Sequence, residues 1–229
     1  MSDTFERVAD VPRPTWGAAI VGSAMTRRSI ISLAAIAMMA VAMTAARAED
    51  GPDKAQRAAF DGRVFAGPLG EKTYACFVRH YDAAHLAQHP KQKVAAMKLL
   101  VAAEQEPQDK TTSYSFRLGV QYRHRPGHFD SSGYCNHGFA EDAGRDIRFD
   151  CGVDCDGGGI NVALSKDDKS AIVRLDRIVV WNRNKPDDEA GDALSAGADD
   201  KIFRVDRTHT SDCAELVTDR KELAAIRHK

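Results

Sequence analysis

The clearest pattern in the chain is a strict alternation of apolar and polar residues between positions 114 and 123. Tyr114, Phe116, Leu118, Val120 and Tyr122 occupy every second position, and polar or small residues stand between them. A period of two predicts a β-strand with one apolar face and one polar face. Such a strand is typical of an antiparallel sheet with one solvated side or of a small barrel.

Shorter segments with strand character lie on both sides of it. Strands are predicted over residues 73–78, 129–135, 147–151, 160–164, 171–175, 178–182 and 202–205. Residues 93–103 combine helix-favouring Ala, Leu and Lys with alternating apolar positions, and we predict a strand there. Helical turns are predicted over 82–88, with Asp82 as N-cap, and a helical turn or tail over 221–228. About eight to nine short strands with little helix indicate an all-β fold.

Residues 25–48 have the three parts of an export signal. A short basic segment over 25–28 precedes an apolar stretch over 30–44, and Ala46-Arg47-Ala48 forms a small-x-small cleavage site. The apolar stretch of about 15 residues is shorter than the ~20 that span a bilayer, so a cleavable signal is predicted, with cleavage after Ala48. Arg27-Arg28 resembles a twin-arginine signal, but Ser32 replaces its usual lysine, which favours the general secretory route. The sequence therefore predicts a periplasmic or secreted protein.

The five cysteines follow this signal. In an oxidising compartment an odd count suggests two disulfides and one leftover thiol. We expect Cys76 to pair with Cys213, and Cys135 to pair with either Cys151 or Cys155. The long loop closed by the first pair would stabilise the fold by roughly 4–5 kcal/mol through loop-closure entropy.

The predicted fold is a single antiparallel β-barrel of about eight strands or a two-sheet β-sandwich, since strands of both alternate with a period of two. Closure into a barrel would remove exposed sheet edges. This arrangement resembles the lipocalin architecture in its size, in its number of strands and in a disulfide that joins the start of the domain to its end. The Gly-x-Trp signature of the first lipocalin strand is absent and Trp181 lies in a late strand, so the resemblance concerns architecture alone.

The same pattern divides the chain into segments. Residues 1–24 are interpreted as an extension ahead of a true start at Met25, and 25–48 as the cleaved signal. The polar residues 49–70 predict a flexible leader. Residues 71–229 then form one β-rich domain, in which the acidic, Ala- and Gly-rich segment 186–200 is predicted to be a loop.

The charge of the mature chain excludes some classes of partner. Residues 1–48 hold five of the 32 basic and three of the 33 acidic residues, which leaves 27 and 30, a net charge of −3 with His neutral. A mild acidic balance argues against nucleic acid and anionic membranes as partners. No second apolar run of membrane length follows the signal, and a monomer is expected.

The most unusual string is residues 151–159, which contain two cysteines and three consecutive glycines. We predict a tight turn pinned by a disulfide, because Asp156-Gly157 suits positive φ. A looser cation site formed by Asp150, Asp154 and Asp156 is a weaker hypothesis. The C-x3-C spacing is not that of a redox centre.

The histidines give weak signals for metal binding. His85 and His89 are four residues apart, as in zinc sites on helices, but the H-E-x-x-H form is absent. Three further histidines lie near predicted strand ends and could converge: His124, His128 and His137. The chain carries no G-x-S-x-G or S-x-x-K motif and no phosphate-binding P-loop. We predict no metal, no cofactor and no enzymatic activity.

Arg117, Gln121 and Arg123 are the predicted ligand-binding residues. They share the polar face of the 114–123 strand. If this face lines a barrel, two guanidinium groups would lie in a concave site that suits a carboxylate or phosphate.

Three functions follow in order of preference. The first is an exported, non-catalytic β-barrel protein that binds a small molecule or an envelope component, which predicts an internal cavity. The alternative is a structural or interaction protein, such as an inhibitor or envelope-stress factor, which predicts a packed interior and an exposed apolar patch. A metal-dependent hydrolase is the weakest hypothesis. The expected partners are therefore a small-molecule ligand or an envelope protein.

Overall fold

The computed structural model describes residues 51–109, 111–140, 146–185 and 191–227. The predicted N-terminal extension and export signal lie outside the described residues, as does the 186–190 part of the predicted acidic loop. The helices are α1 (Lys54–Val64), α2 (Ala83–Gln88), a 3-10 helix (Thr210–Leu216) and α3 (Arg220–Arg227). The strands are β1 (Lys72–His80), β2 (Val94–Gln105), β3 (Thr112–Tyr122), β4 (Phe129–Phe139), β5 (Ile147–Gly152), β6 (Gly158–Leu164), β7 (Ser170–Asn182), β8 (Asp192–Ser195) and β9 (Ile202–Thr208).

All nine strands form one antiparallel sheet that closes into a ring. Each strand from β1 to β6 pairs with the next one along the chain, and β9 pairs with both β7 and β1. β8 lies alongside the second half of β7, with Arg177 opposite Ser195. The ring therefore contains every strand except β8, which confirms the predicted all-β fold.

Apolar side chains fill the interior of the ring. Val, Leu, Ile and aromatic residues from all nine strands form one cluster. Its largest members are phenylalanines that are almost completely buried: Phe77, Phe116, Phe129, Phe149 and Phe203. Packed apolar side chains of this kind are what the alternative, an interaction protein, predicts for the interior, whereas a ligand-binding barrel predicts an internal cavity.

A second, smaller cluster lies on the outside of β1, β2 and β3. The 3-10 helix and α3 cover this face and bury Leu216 and Ile226 against the sheet. Gly119 permits the contact, because a Cβ atom at this position would lie only 2.7 Å from Cδ2 of Leu216. The polar side of β3 thus faces a helical layer rather than a lumen.

Two disulfides cross-link the fold. Cys76 pairs with Cys213 and so fastens the 3-10 helix to β1, as predicted. Cys135 pairs with Cys151, its direct neighbour across β4 and β5, which resolves the alternative left open by the sequence. Cys155 is a free, exposed thiol in the turn between β5 and β6. Positive φ angles occur at Cys155 (55°) and Asp156 (61°), so the tight turn lies one residue earlier than the predicted Asp156-Gly157.

The described part of the predicted flexible leader, residues 51–70, contains a helix. Asp53 accepts a hydrogen bond from the backbone N–H of Gln56, whose side chain bonds back to the N–H of Asp53, and this capping box starts α1. Phe60 and Val64, one turn apart, are buried in the main cluster. The helix forms because these two residues supply an apolar side that the core covers.

The predicted loop over 186–200 also differs in its described part. Residues 192–195 form β8, and Asp200 is fully buried. The Asp200 carboxylate accepts hydrogen bonds from the backbone N–H groups of Lys93 (2.8 Å) and Val94 (3.2 Å). An acidic residue expected in a solvated loop therefore fixes the start of β2.

Candidate functional site

Helix α1 lies across one end of the ring, here called the α1 end. Arg207 donates hydrogen bonds to the carbonyl oxygens of Arg63 (2.9 Å) and Val64 (2.6 Å), at the C-terminal end of the helix. Arg63 in turn forms an ion pair with Asp168, 2.7 Å between Nη2 and Oδ1. A cation at the C-terminal end of a helix satisfies free carbonyl groups and the helix dipole. These contacts fix α1 relative to the sheet.

Asp61 of α1 joins a buried polar network at this end. Its Oδ2 accepts a hydrogen bond from the Tyr114 hydroxyl (2.6 Å), and its Oδ1 lies 2.8 Å from Nε2 of His137. The Asp61 and His137 side chains are only 7% and 6% exposed. With Asp61 ionised, Nε2 of His137 would be the donor in this contact, because a carboxylate only accepts. Burial and the bond to Asp61 raise the pKa of the Tyr114 hydroxyl well above its ordinary value.

The strand register brings these side chains together. The β3–β4 ladder ends at the pair Tyr114–Cys135, while β4 continues beside β5 alone and carries His137 two residues beyond the end of that ladder. The His137 ring packs against Tyr114 (4.8 Å between centroids) and Phe149 (4.9 Å). The network thus has a rigid aromatic support.

An open groove of about 970 Å³ lies above this network. One wall is α1, with Lys54, Arg57 and Ala58, and the opposite wall is β4, with Tyr134 and Asn136. The Tyr134 side is notable because this residue is 65% exposed although it is large and partly apolar. The concavity is of the size that holds small organic ligands, typically ~300–1,000 Å³.

Sequence reasoning missed Asp61, Tyr114 and His137 as a group. Tyr114 follows Asp61 by 53 residues along the chain, and His137 follows it by 76. The one local signal was the capping pattern Asp53–Gln56 ahead of Phe60, which identifies α1 but not where it packs. Contacts at such separations depend on ring closure and strand register, which a residue pattern does not specify.

The structure does not bring the predicted ligand residues together. Arg117 forms a two-fold contact with the carboxylate of Glu222 on α3, at 2.8 and 2.9 Å. Gln121 bonds the His128 ring (3.1 Å), and Arg123 donates to the carbonyl of Leu86 (3.1 Å). The condition set for this prediction, that their face lines the barrel, is not met, because Phe116, Leu118 and Val120 on the other face of β3 point into the core. Ligand binding by these three residues stays a prediction.

The glutamate that binds Arg117 is itself buried. The Glu222 side chain is 8% exposed, and Lys72 lies 3.8 Å away. Burial alone would raise the pKa of Glu222, but the hydrogen bonds and charge of Arg117 outweigh it, so the pKa lies below its ordinary value. The pair joins α3 to β3.

The histidines and aspartates considered as metal ligands form no metal site among the described residues. The rings of His85 and His89 stack, with 4.4 Å between centroids, and Nε2 of His85 contacts Gln92 (3.0 Å). His128 and His137 sit at opposite ends of β4, roughly 25–30 Å apart at ~3.3 Å per residue, and so do not converge. Within the described ranges no three His, Cys, Asp or Glu residues are grouped as a metal site would require.

No protein-family profile, no curated protein and no solved structure matches this chain. Among the described helices, none combines the length and apolar character needed to cross a bilayer. The two disulfides indicate an oxidising environment and are compatible with an exported protein.

Proposed function

We propose that this chain is an exported, non-catalytic binding protein whose ligand occupies the groove at the α1 end. The observation that carries the proposal is a preformed concavity of about 970 Å³ beside a packed ring. Ligand sites are typically concave, largely apolar and preformed, with a few polar groups that orient the ligand. The groove has these features.

The polar network supports binding rather than chemistry. Both oxygens of Asp61 and one ring nitrogen of His137 are already engaged in hydrogen bonds. A hydrogen-bonded carboxylate of this kind orders the floor of a site and holds α1 in place. We therefore assign Asp61 and His137 to positioning the groove.

A second function, the interaction protein, is favoured by the packed interior. Its other prediction, an exposed apolar patch, has less support, because Tyr134 and Ile202 are the large exposed hydrophobic residues of the described chain. A protein partner would then use the same groove, and the mass of the bound species distinguishes the two functions.

Native mass spectrometry of protein exported by its own cells tests the proposal, with the denatured mass taken alongside. We expect a small bound mass in the wild type that denaturation removes. Ala58→Trp would fill the groove and remove this mass, whereas Ala55→Trp, on an exposed α1 position outside the groove, would retain it. A bound mass that persists in Ala58→Trp, or none in the wild type, would count against the proposal. A bound mass of protein size would support the second function.

A further inference from the structure

The two cations of the groove, Lys54 and Arg57, differ from several arginines elsewhere in the fold. Five of those arginines form ion pairs with carboxylates: Arg63–Asp168, Arg79–Asp206, Arg117–Glu222, Arg125–Asp192 and Arg183–Asp130. Lys54 and Arg57 are exposed and have no carboxylate partner among the described residues. They are three residues apart on α1 and so lie on one face of the helix.

Asp61, the acidic residue of the groove, forms no ion pair with either cation in the described residues. It lies one turn beyond Arg57, and its two oxygens contact the Tyr114 hydroxyl and the His137 ring in the groove lining. The groove wall on α1 therefore presents two positive charges toward the ligand space. A guanidinium beside an ammonium is a suitable receptor for a carboxylate, sulfonate or phosphate.

The remainder of the groove suits an apolar body. Ala58, Pro68 and Leu69 lie along its α1 side, and the exposed Tyr134 ring stands on the opposite wall. An aromatic ring gives a large contact area at small entropic cost. The Asn136 side chain adds hydrogen-bonding groups beside that ring.

From these observations we infer that the ligand of the groove is an amphipathic organic anion, with its charge at Lys54 and Arg57 and its apolar body against Tyr134. This inference rests on the proposed function and specifies the chemical class of the ligand. The anionic group would form charge-assisted hydrogen bonds, and the body would displace water from the apolar wall.

Calorimetric titration with three naphthalene derivatives of similar shape tests the inference: naphthoate, naphthamide and naphthylmethylammonium. We expect naphthoate to bind about tenfold more tightly than the other two, with the difference reduced at high salt. The double variant Lys54→Gln/Arg57→Gln would lower naphthoate affinity about tenfold. The matched control Lys201→Gln/Lys221→Gln removes two exposed charges outside the groove and would leave the affinity unchanged.

A second variant tests the other half of the ligand. Tyr134→Ser would weaken naphthoate binding while the preference for the anion is kept, because only the aromatic contact is lost. Equal affinity for the anion and the amide, or an unchanged affinity in Lys54→Gln/Arg57→Gln, would overturn the inference. So would the absence of naphthoate binding at millimolar concentration.

These outcomes are separable from failure of the proposed function. If the amide or the cation binds, and Ala58→Trp abolishes that binding, the groove is a ligand site of another chemical class. If the naphthalene probes bind equally to the wild type and to Ala58→Trp, the groove is not their site and both proposals lose support.

Discussion

Asp61 is a buried carboxylate that accepts from two neutral or weakly basic partners rather than from a lysine or arginine. Its environment combines a tyrosine hydroxyl, an imidazole and the rings of Phe60 and Phe149. A buried polar group is stable only while its hydrogen bonds are made. Each of its two bonds therefore matters more than an exposed bond of the same length.

Tyr114→Phe removes one of the two donors while the ring is kept. We expect the free energy of unfolding to fall by about 1.5–3 kcal/mol, because the bond is made to a charged group. Tyr134→Phe is the matched control, since Tyr134 is 65% exposed and we expect a change below about 0.5 kcal/mol. Urea unfolding with an unchanged m-value measures both. Equal effects in the two variants would contradict a stabilising role for the network.

At the scale of single residues, the sequence indicates which side chains could bind a ligand or a metal, but not which other side chains they contact. Arg117 is predicted to bind an anion because it lies on the polar face of a strand, and the carboxylate that it contacts, Glu222, lies 105 residues further on. The same holds for His137, which was noted only for its place near a strand end. Pairings of this kind depend on which elements pack together, and no local pattern specifies that.

The elements themselves were predicted with more success where one face alone is buried. The strand 114–123 shows a clean alternation because Phe116, Leu118 and Val120 face the core. β2 was ambiguous because both of its faces are buried: Leu99 packs inside the ring and Leu100 packs under the helical layer. A strand covered on both sides loses its alternation and takes on the composition of a helix.

The elements that were missed have short or sparse apolar patterns. α1 exposes most of its surface and contributes few apolar residues, chiefly Phe60 and Val64. β8 has only four residues within an acidic segment. Elements with so few core residues form because the surrounding structure covers them, so their own sequence indicates them weakly.

The docking of α3 should depend on pH through Glu222. Because its folded-state pKa lies below the unfolded value of about 4.3, its contribution is complete above that pH and is lost as pH falls through the folded pKa. We therefore expect Glu222→Gln to be less stable than the wild type at pH 7, with the difference shrinking below about pH 4.3. Urea unfolding across this range provides the measurement.

Glu71→Gln is the control for this prediction. Glu71 is exposed and its side chain has no ion-pair partner among the described residues. We expect its stability to follow that of the wild type across the same pH range. A pH-independent difference between Glu222→Gln and the wild type would show that Glu222 acts by packing rather than by charge.

At the scale of the whole molecule, the two disulfides close loops of different length. Cys76–Cys213 spans 137 residues and Cys135–Cys151 spans 16. The longer loop removes more freedom from the unfolded chain, and by loop-closure entropy the two contributions are about 5 and about 3 kcal/mol. The outer helical layer therefore depends on a bond that also restrains most of the ring.

Paired substitutions test this difference. We expect Cys76→Ala/Cys213→Ala to lose about 5 kcal/mol of unfolding free energy and Cys135→Ala/Cys151→Ala about 3 kcal/mol. Guanidinium unfolding under oxidising conditions gives both values, and Cys155→Ala, which removes only the free thiol, serves as the control. A larger loss from the shorter loop would show that packing around Cys135, and not chain entropy, dominates.

Strand β1 finds one of its two neighbours only in β9, where Cys76 lies opposite Thr208. Eight strands, β1 to β8, are synthesised before that neighbour exists. A nascent chain that stalls before residue 202 therefore presents two open edges to any other chain nearby, on β1 and on the Ser170–Arg174 part of β7 with which β9 pairs. These two strand edges are covered only when β9 has formed. Incomplete chains are therefore the form of this protein most prone to aggregate.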